Sequence, residues 1–422
     1  MSEIRTRRGF LGRGVLGATN AALAATGLAG GRVEAADTRH APEGEDYYEK
    51  LGVTKIINAA GTYTALTASI MPPSVQAAVA RAAKHPVRLH ELQQAAGEYL
   101  ARRLQCEGAM VTAGAASALT LATAAAMTLG NKPAIHSIPT DVSGLKNEVI
   151  AQKTHRYEYD HAIRNCGARF VEVVTLAEYE SAFTERTVMT NFFNAAEGGE
   201  ISREDWIRVA HQHGVPCLND AAADVPPISN LWNYTKMGFD MVAFSGGKGM
   251  RGPQNAGLLL GRRDLIAAAT QNNNPSSDTV GRGMKVSKEQ IVGMVAAVDW
   301  FLSQSDEGME TEFRRRADRV AAQVKSIPTL EAQIVIPKVA ANAVPHLLLR
   351  YDTQRVKIRP VEVMAELRKG TPSIELNPQT GKKPGAGLPS DESTIVVGVW
   401  MLEPGEDVIV GKRLREVLSK AA

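Results

Sequence analysis

A chain of 422 residues with 44% hydrophobic and 22% charged residues has an ordinary globular composition and room for two domains. Its net charge of +3 is small and its basic residues are scattered rather than striped, which argues against a nucleic-acid partner. The three cysteines, Cys106, Cys166 and Cys217, lie in or beside apolar runs, so neither a disulfide framework nor a metal site is expected.

The N-terminus carries Thr6-Arg7-Arg8-Gly9-Phe10-Leu11, a pair of arginines followed by a bulky apolar pair. Residues 12–31 are Ala/Gly/Leu-rich and only weakly hydrophobic, and Val33-Glu34-Ala35 offers small residues where a signal peptidase reads. The expectation is a twin-arginine export signal, residues 1–35, cleaved near Ala35. No later segment reaches the roughly 18 apolar residues of a spanning helix, so the mature protein is expected in the periplasm without a membrane anchor. An N-terminal arm (36–60), a large domain (61–305) and a small domain (306–422) follow.

Lys55 to Thr62 reads as a short strand running into a small-residue turn. Residues 72–84 and 89–104 have helical periodicity, the second with Leu89, Leu92, Ala96, Leu100 and Leu104 on one face. Met110 to Ala118 opens a long Ala-rich helix ending near Gly130. Small residues at a helix start let free N–H groups approach a phosphate with the help of the helix dipole. Gly114, Ala115, Ala116 and Ser117 are therefore the candidate phosphate cradle, with close packing as the alternative. Strands are expected at Ala134–His136, Arg169–Val173 and Thr187–Asn191, with helices around 160–166 and 177–183. Ser202 starts another helix, with Asp205 three residues on as an approximate capping box. This alternation predicts an α/β fold whose mostly parallel sheet is covered on both faces and binds ligands at the carboxyl ends of its strands. His155 is the candidate for stacking on a bound ring, a capping or surface histidine being the alternative. His211 and His213 read as surface residues of an amphipathic helix.

Two strands then carry the chemistry. Val215 to Leu218 ends in Asn219-Asp220. Met241 to Phe244 runs into Ser245-Gly246-Gly247-Lys248-Gly249-Met250-Arg251-Gly252-Pro253-Gln254. A lone lysine in a glycine-rich loop is usually solvated, but this one lies between apolar strands, where an unpaired ammonium is costly. The glycines imply a sharp bend or a close approach. A lysine for a Schiff base and an acid beside the pyridinium nitrogen are what pyridoxal 5'-phosphate requires. Lys248 is the candidate Schiff-base lysine and Asp220 the ring-nitrogen partner. Ser245 is placed on the phosphate, and Asn194, just past a strand end, joins the cofactor contacts. Residues 272–283 read as a mobile polar loop, followed by a helix to about Leu302. Beyond it, helices, strands (333–337, 346–349, 395–399) and a polar insertion at 377–391 suggest a small α+β domain.

Asn58-Ala59-Ala60-Gly61-Thr62, Phe244 to Lys248, Arg251 to Gln254 and Arg282 to Glu289 together resemble the selenocysteine synthase-like group of pyridoxal-phosphate enzymes, and more closely its D-glucosaminate-6-phosphate ammonia-lyase-like branch. The resemblance runs from about Tyr47 to the C-terminus. It implies a fold-type-I transferase fold with a seven-stranded-type sheet, a Schiff base at Lys248, a homodimer or higher assembly, and chemistry at the Cα–H bond of a small-molecule amino acid or amino sugar acid. The reading that follows is a lyase: Lys248, its amine made less basic by burial, removes the Cα proton, and loss of a β-hydroxyl and ammonia leaves a 2-keto acid. Arg251 or Arg282 is the candidate clamp for the substrate carboxylate, with Gln254 beside them. The alternatives are an aminotransferase or racemase using the same residues, and a non-catalytic periplasmic binding protein.

Overall fold

The computed structural model describes residues 44–195, 199–337, 342–385 and 387–422; the expected export signal lies outside the described residues. The chain divides into two units, Met1–Thr54 and Lys55–Ala422. In the first, the Asp46 carboxylate caps a one-turn helix, Tyr47–Lys50, accepting from the N–H groups of Tyr48 and Glu49.

The second unit opens with strand β1 (Ile56–Ala59). It continues through β2 (Gly108–Thr112), β3 (Glu148–Gln152), β4 (Arg169–Val173), β5 (Thr187–Phe193), β6 (Cys217–Asp220), β7 (Met241–Ser245) and β8 (Gly257–Gly261). Strands β2 to β8 form one seven-stranded sheet in the order β2-β8-β7-β6-β5-β3-β4. All but β8 run the same way; β8 is antiparallel to both β2 and β7. Successive residues point to opposite faces. Cys217, Val242, Phe244, Leu258 and Leu260 belong to one core cluster, and Leu218, Met241, Ala243 and Leu259 to the other. Helices Leu89–Arg103 and Lys288–Leu302 cover the first face. The second is covered by Gly114–Thr128, a helix buried at every position from Ser117 onward, as its apolar composition requires.

Strands β9 (Glu331–Val335), β10 (His346–Arg350), β11 (Ser373–Leu376) and β12 (Thr394–Gly398) build the C-terminal part, with β9, β10 and β12 antiparallel. Helices Asp306–Val324 and Glu406–Ser419 pack on them in an α+β arrangement. Strand β1, in the segment expected as an arm, pairs in parallel with β11 and sends Ile57 and Ala59 into this C-terminal core. The chain thus returns from its far end to the start of the folded unit.

Several local expectations are corrected. Ala134–His136 is part of a helix, Lys132–Ser137, because Asn131 caps it and Pro133 suits its first turn. Residues 272–283 begin as anchored structure rather than a mobile loop. Asn272 donates to Thr128 Oγ1 at 2.9 Å, and Asn274 Oδ1 accepts from the Val286 N–H at 3.1 Å. His211 and His213 are exposed, as expected of surface residues, and both are engaged there. The first lies 2.9 Å from Asp240, whose other oxygen meets Arg262 at 3.1 Å; the second stacks on Phe183 at 4.1 Å. Cys217 stands beside the His211–Asp240 pair, and its backbone N–H donates to the same Asp240 oxygen at 2.8 Å.

One close approach ties the sheet to the helix behind it. A Cβ added to Gly257 would lie 2.6 Å from the Gly114 carbonyl carbon and 2.9 Å from the Ala115 nitrogen, whereas one on Gly283 meets nothing within 4 Å. Gly257→Ala is therefore expected to cost about 1–3 kcal/mol by overpacking, and Gly283→Ala less than ~0.5 kcal/mol. Urea unfolding midpoints of the two variants check this; equal midpoints would contradict the packing described.

Candidate active site

The carboxyl ends of β6 and β7 bring the two principal candidates together. Asp220 pairs across the sheet with Ala243, and beyond the strands the two chains stay side by side: Ala221 N–H donates to Ala243 O at 3.0 Å and Ser245 N–H to Ala222 O at 3.2 Å. Lys248 sits in the tight connection from β7 to the reversed strand β8. That turn is closed by Gly246 N–H to Ala256 O, Gly252 N–H to Gly246 O (both 2.8 Å) and Arg251 N–H to Lys248 O (3.0 Å). A side chain at Gly249 would collide with the Val225 carbonyl, so the lysine turn lies directly on the segment that follows Asp220.

The electrostatics are those of an enclosed charge cluster. Burial lowers the proton affinity of the Lys248 amine, and the facing carboxylates of Asp220 and Asp224 oppose that shift. Asp220 is fully buried, and desolvation raises its affinity for a proton. Tyr157 Oη, donating to Oδ2, and the Ala222 N–H, donating to Oδ1 at 3.1 Å, oppose that rise, as does Lys248. Asp224 accepts from Asn194 Nδ2 at 2.7 Å and from Tyr234 Oη at 3.0 Å, and burial pushes its carboxyl up to about 7.

At the other end of the site, Gly114 turns the chain from β2 into its helix with φ of +84°, and no side chain caps the helix start. Ser117 Oγ is buried there without a partner. Ser245 stands opposite Gly257 in the β7–β8 ladder, and Gly257 packs on the Gly114–Ala115 backbone. The predicted cradle and Ser245 thus lie one strand apart. An orphaned hydroxyl at an uncapped helix start fits a phosphate. With a half-buried lysine and a buried carboxylate at neighbouring strand ends, the residues present fit pyridoxal phosphate. Lys248 would hold its aldehyde carbon, Asp220 its ring nitrogen, and Gly114 to Ser117 its phosphate.

Other candidates are placed differently. Both ring nitrogens of His155 are engaged, Nδ1 by the Phe193 N–H and Nε2 by Gln152 Nε2 (each 3.2 Å), and its ring meets Phe192 edge-on. Burial lowers its pKa to about 4, so it is a neutral core histidine. Tyr157, two residues on, stacks on Phe193 at 3.9 Å and reaches Asp220; it is the aromatic residue of this segment that touches the site. Asn194 is spanned between Arg203 Nε (2.8 Å) and Asp224, so it supports a carboxylate rather than standing free for a cofactor. Arg251 is held by Glu403 (3.0 Å) and the Trp400 carbonyl (3.1 Å), and Gln254 Nε2 donates to Thr64 O at 3.0 Å. Arg282 is exposed and donates to Pro275 O at 3.3 Å. These three side chains do not converge. Arg251 alone lines a cleft of about 470 Å³ beside Gly249, with Glu312, Arg316, Trp400 and Met401. Ser69 Oγ donates to Gly247 O at 2.6 Å, and Asn58 closes the turn before it by accepting from the Ala60 and Gly61 N–H groups. Asp224 and Tyr157 were missed in the sequence reading. Their one visible signal is proximity, Asp224 four positions after Asp220 and Tyr157 two after His155.

The aminotransferase class-V family profile matches residues 171–345. D-glucosaminate-6-phosphate ammonia lyase of Salmonella typhimurium (strain 14028s / SGSC 2262) is 30% identical over 392 residues, 89% of this chain and 98% of the relative. A solved structure of D-glucosaminate-6-phosphate ammonia-lyase superposes with a TM-score of 0.76 at 29% identity, covering 89% of this chain and 99% of that one. The 5'-C-glycyluridine monooxygenase-decarboxylase of a Streptomyces species is 29% identical over 83% of this chain and 90% of its own length. An L-seryl-tRNA(Sec) selenium transferase of Aquifex aeolicus (strain VF5) is 25% identical over 50% of this chain and 53% of its own. The chain belongs to the D-glucosaminate-6-phosphate ammonia-lyase family of pyridoxal-phosphate-dependent, fold-type-I enzymes.

Proposed function

We propose that the protein is an ammonia-lyase acting on an amino acid or amino sugar acid with a hydroxyl on the carbon next to Cα. The observation that carries this reading is the half-buried Lys248 and the fully buried Asp220 brought to neighbouring strand ends, each within reach of the other's charge. The ammonia-lyase relative, aligned over nearly its whole length, favours elimination over transamination or racemisation by the same residues.

When bound, pyridoxal phosphate supplies the electrophilic carbon and the electron sink that make a Cα proton removable. Lys248 would hold that carbon and, as a neutral amine beside the bound substrate, would take the Cα proton. Burial favours this role by keeping the amine less basic than a solvated lysine. Asp220 would meet the ring nitrogen, and Tyr157, the Ala222 N–H and Lys248 favour its ionised form against desolvation. The helix start at Gly114 and the Ser117 hydroxyl orient the phosphate. The β-hydroxyl leaves as water, a proton is delivered to the β carbon, and water then releases ammonia, so that R–CHOH–CH(NH3+)–COO⁻ becomes R–CH2–CO–COO⁻ and NH4+. The Arg251 cleft is the candidate for the substrate's carboxylate or side chain. We also propose a homodimer or larger assembly, and export of the folded chain to the periplasm, which Arg7-Arg8-Gly9-Phe10-Leu11 supports.

Lys248→Ala is expected to abolish borohydride fixation of the cofactor to the protein and to slow ammonia release from β-hydroxy amino acids by at least roughly 100-fold. Wild-type turnover by this variant would end the scheme. Ser117→Ala removes a hydroxyl from the phosphate and should weaken cofactor retention roughly 10- to 100-fold, the equivalent of one hydrogen bond to a charged group; equilibrium dialysis against the cofactor measures it. Replacing Arg7 and Arg8 together with lysine should leave the full-length protein in the cytoplasm, as cell fractionation would reveal.

A further inference from the structure

The segment after Asp220 carries a second carboxylate that the reaction scheme leaves unused. Asp224 is 1% exposed, and polar side chains hold its carboxylate. Asn194, just past β5, donates to Oδ2 at 2.7 Å, and Tyr234, on helix Asn230–Met237, donates to the same oxygen at 3.0 Å. Arg203, from helix Arg203–Gln212, donates to the far side of Asn194 at 2.8 Å and lies over the rings of Phe192 (5.8 Å) and Tyr234 (6.0 Å). The Asp224 backbone carbonyl accepts from Asn230 Nδ2 at 2.7 Å. The next residue, Val225, is the one on which Gly249 packs, so the carboxylate is set immediately behind the lysine turn. A buried carboxylate with two donors and an arginine one side chain away is a built site, and its charge is felt at Lys248.

We infer that Asp224 is a positioning residue of the reaction: a second buried carboxylate that, when ionised, holds a proton on the Lys248 nitrogen, and when neutral lets it go. The inference rests on Lys248 being the residue that carries the cofactor. The groups facing Asp224 are Asp220 from β6, Lys248 from the β7–β8 turn, Asn194, Arg203 and Tyr234, and Tyr157 and Asp160 face Asp220 beside it. Asp220 and burial favour its neutral form, and Asn194, Tyr234 and Arg203 the ionised one. The balance leaves it near neutrality, where a modest change in pH alters its charge. The sign follows: above that point the ionised carboxylate favours a protonated lysine nitrogen, and below it that support is withdrawn.

The test uses the cofactor-loaded protein and reads visible absorbance against pH, not turnover. Borohydride reduction and peptide mapping of the wild type come first; label on Lys248 upholds the underlying assignment, and its absence overturns that assignment and this inference together. With the label in place, Asp224→Asn is expected to lower the absorbance midpoint by at least ~1 pH unit, the effect of deleting one nearby opposite charge. Asp224→Glu should restore it towards wild type. Tyr234→Phe, which removes one donor to the ionised carboxylate, should shift the midpoint the same way by less, and decides the matter if Asp224→Asn does not fold. Variants that load normally and titrate at the wild-type midpoint would reduce Asp224 to a structural residue and overturn the inference.

Discussion

The site depends on holding one half-buried lysine beside two carboxylates that are out of water. Each charge removed from solvent costs several kcal/mol unless partners replace its hydration. The surrounding residues meet that need one by one. Tyr157 and the Ala222 N–H serve Asp220, while Asn194 and Tyr234 serve Asp224. The same constraint accounts for the glycines of the lysine turn. The lysine turn packs directly on Val225, the residue after Asp224, and a Cβ at Gly249 would hold it off.

The fold delivers these groups through its strand directions. Parallel β5, β6 and β7 end at one edge, so Asn194, Asp220 and Lys248 emerge side by side. Because β8 runs back, the lysine lies in a short reversal rather than on a long helical crossover, and both ends of its turn are fixed by the β7–β8 ladder. The C-terminal part then holds the result from outside. Asn342 Nδ2 donates to Ala223 O at 2.8 Å, the Ala343 N–H to Pro226 O at 2.9 Å, and Arg251 bonds Glu403 at 3.0 Å. The loop bearing both carboxylates and the turn bearing the lysine are therefore tied to the same neighbouring body, and a displacement of that body would act on both at once.

What could be read from the sequence was whatever local residue type determines. A lysine among glycines between apolar runs, an aspartate closing the strand before it, and small residues opening a helix each state their requirement within a few positions. The parallel sheet was legible for the same reason, as alternating apolar strands and helices. Ala134–His136 was missed for a local reason, the Asn131 cap and Pro133, but several other misses are long-range. Strand β11 was not read, because its partner β1 lies more than three hundred residues away and only pairing makes Ser373–Leu376 a strand. Arg251 looked free because Glu403 and Trp400 are remote in sequence. His155 and Tyr157 share a segment, and only the packing of Phe192 and Phe193 decides which ring enters the core and which meets Asp220. Asn272 to Asn274 read as a loop because asparagine is a turn residue, and their burial against Thr128 and Val286 is set by the tertiary fold.

Tyr157 also bears on how Asp220 can serve a ring nitrogen at all. Burial alone would leave that carboxyl neutral, and a neutral acid would not hold a proton on a pyridine nitrogen. A carboxylate has about four acceptor positions. The Tyr157 hydroxyl takes one on Oδ2 and the Ala222 N–H one on Oδ1, leaving capacity for a further donor. Each of these hydrogen bonds favours the ionised form over the neutral one, as does the charge of Lys248. The hydroxyl therefore need not be a rival for the ring nitrogen's place. Its effect is to favour the charged form of Asp220 in a position where desolvation works against charge.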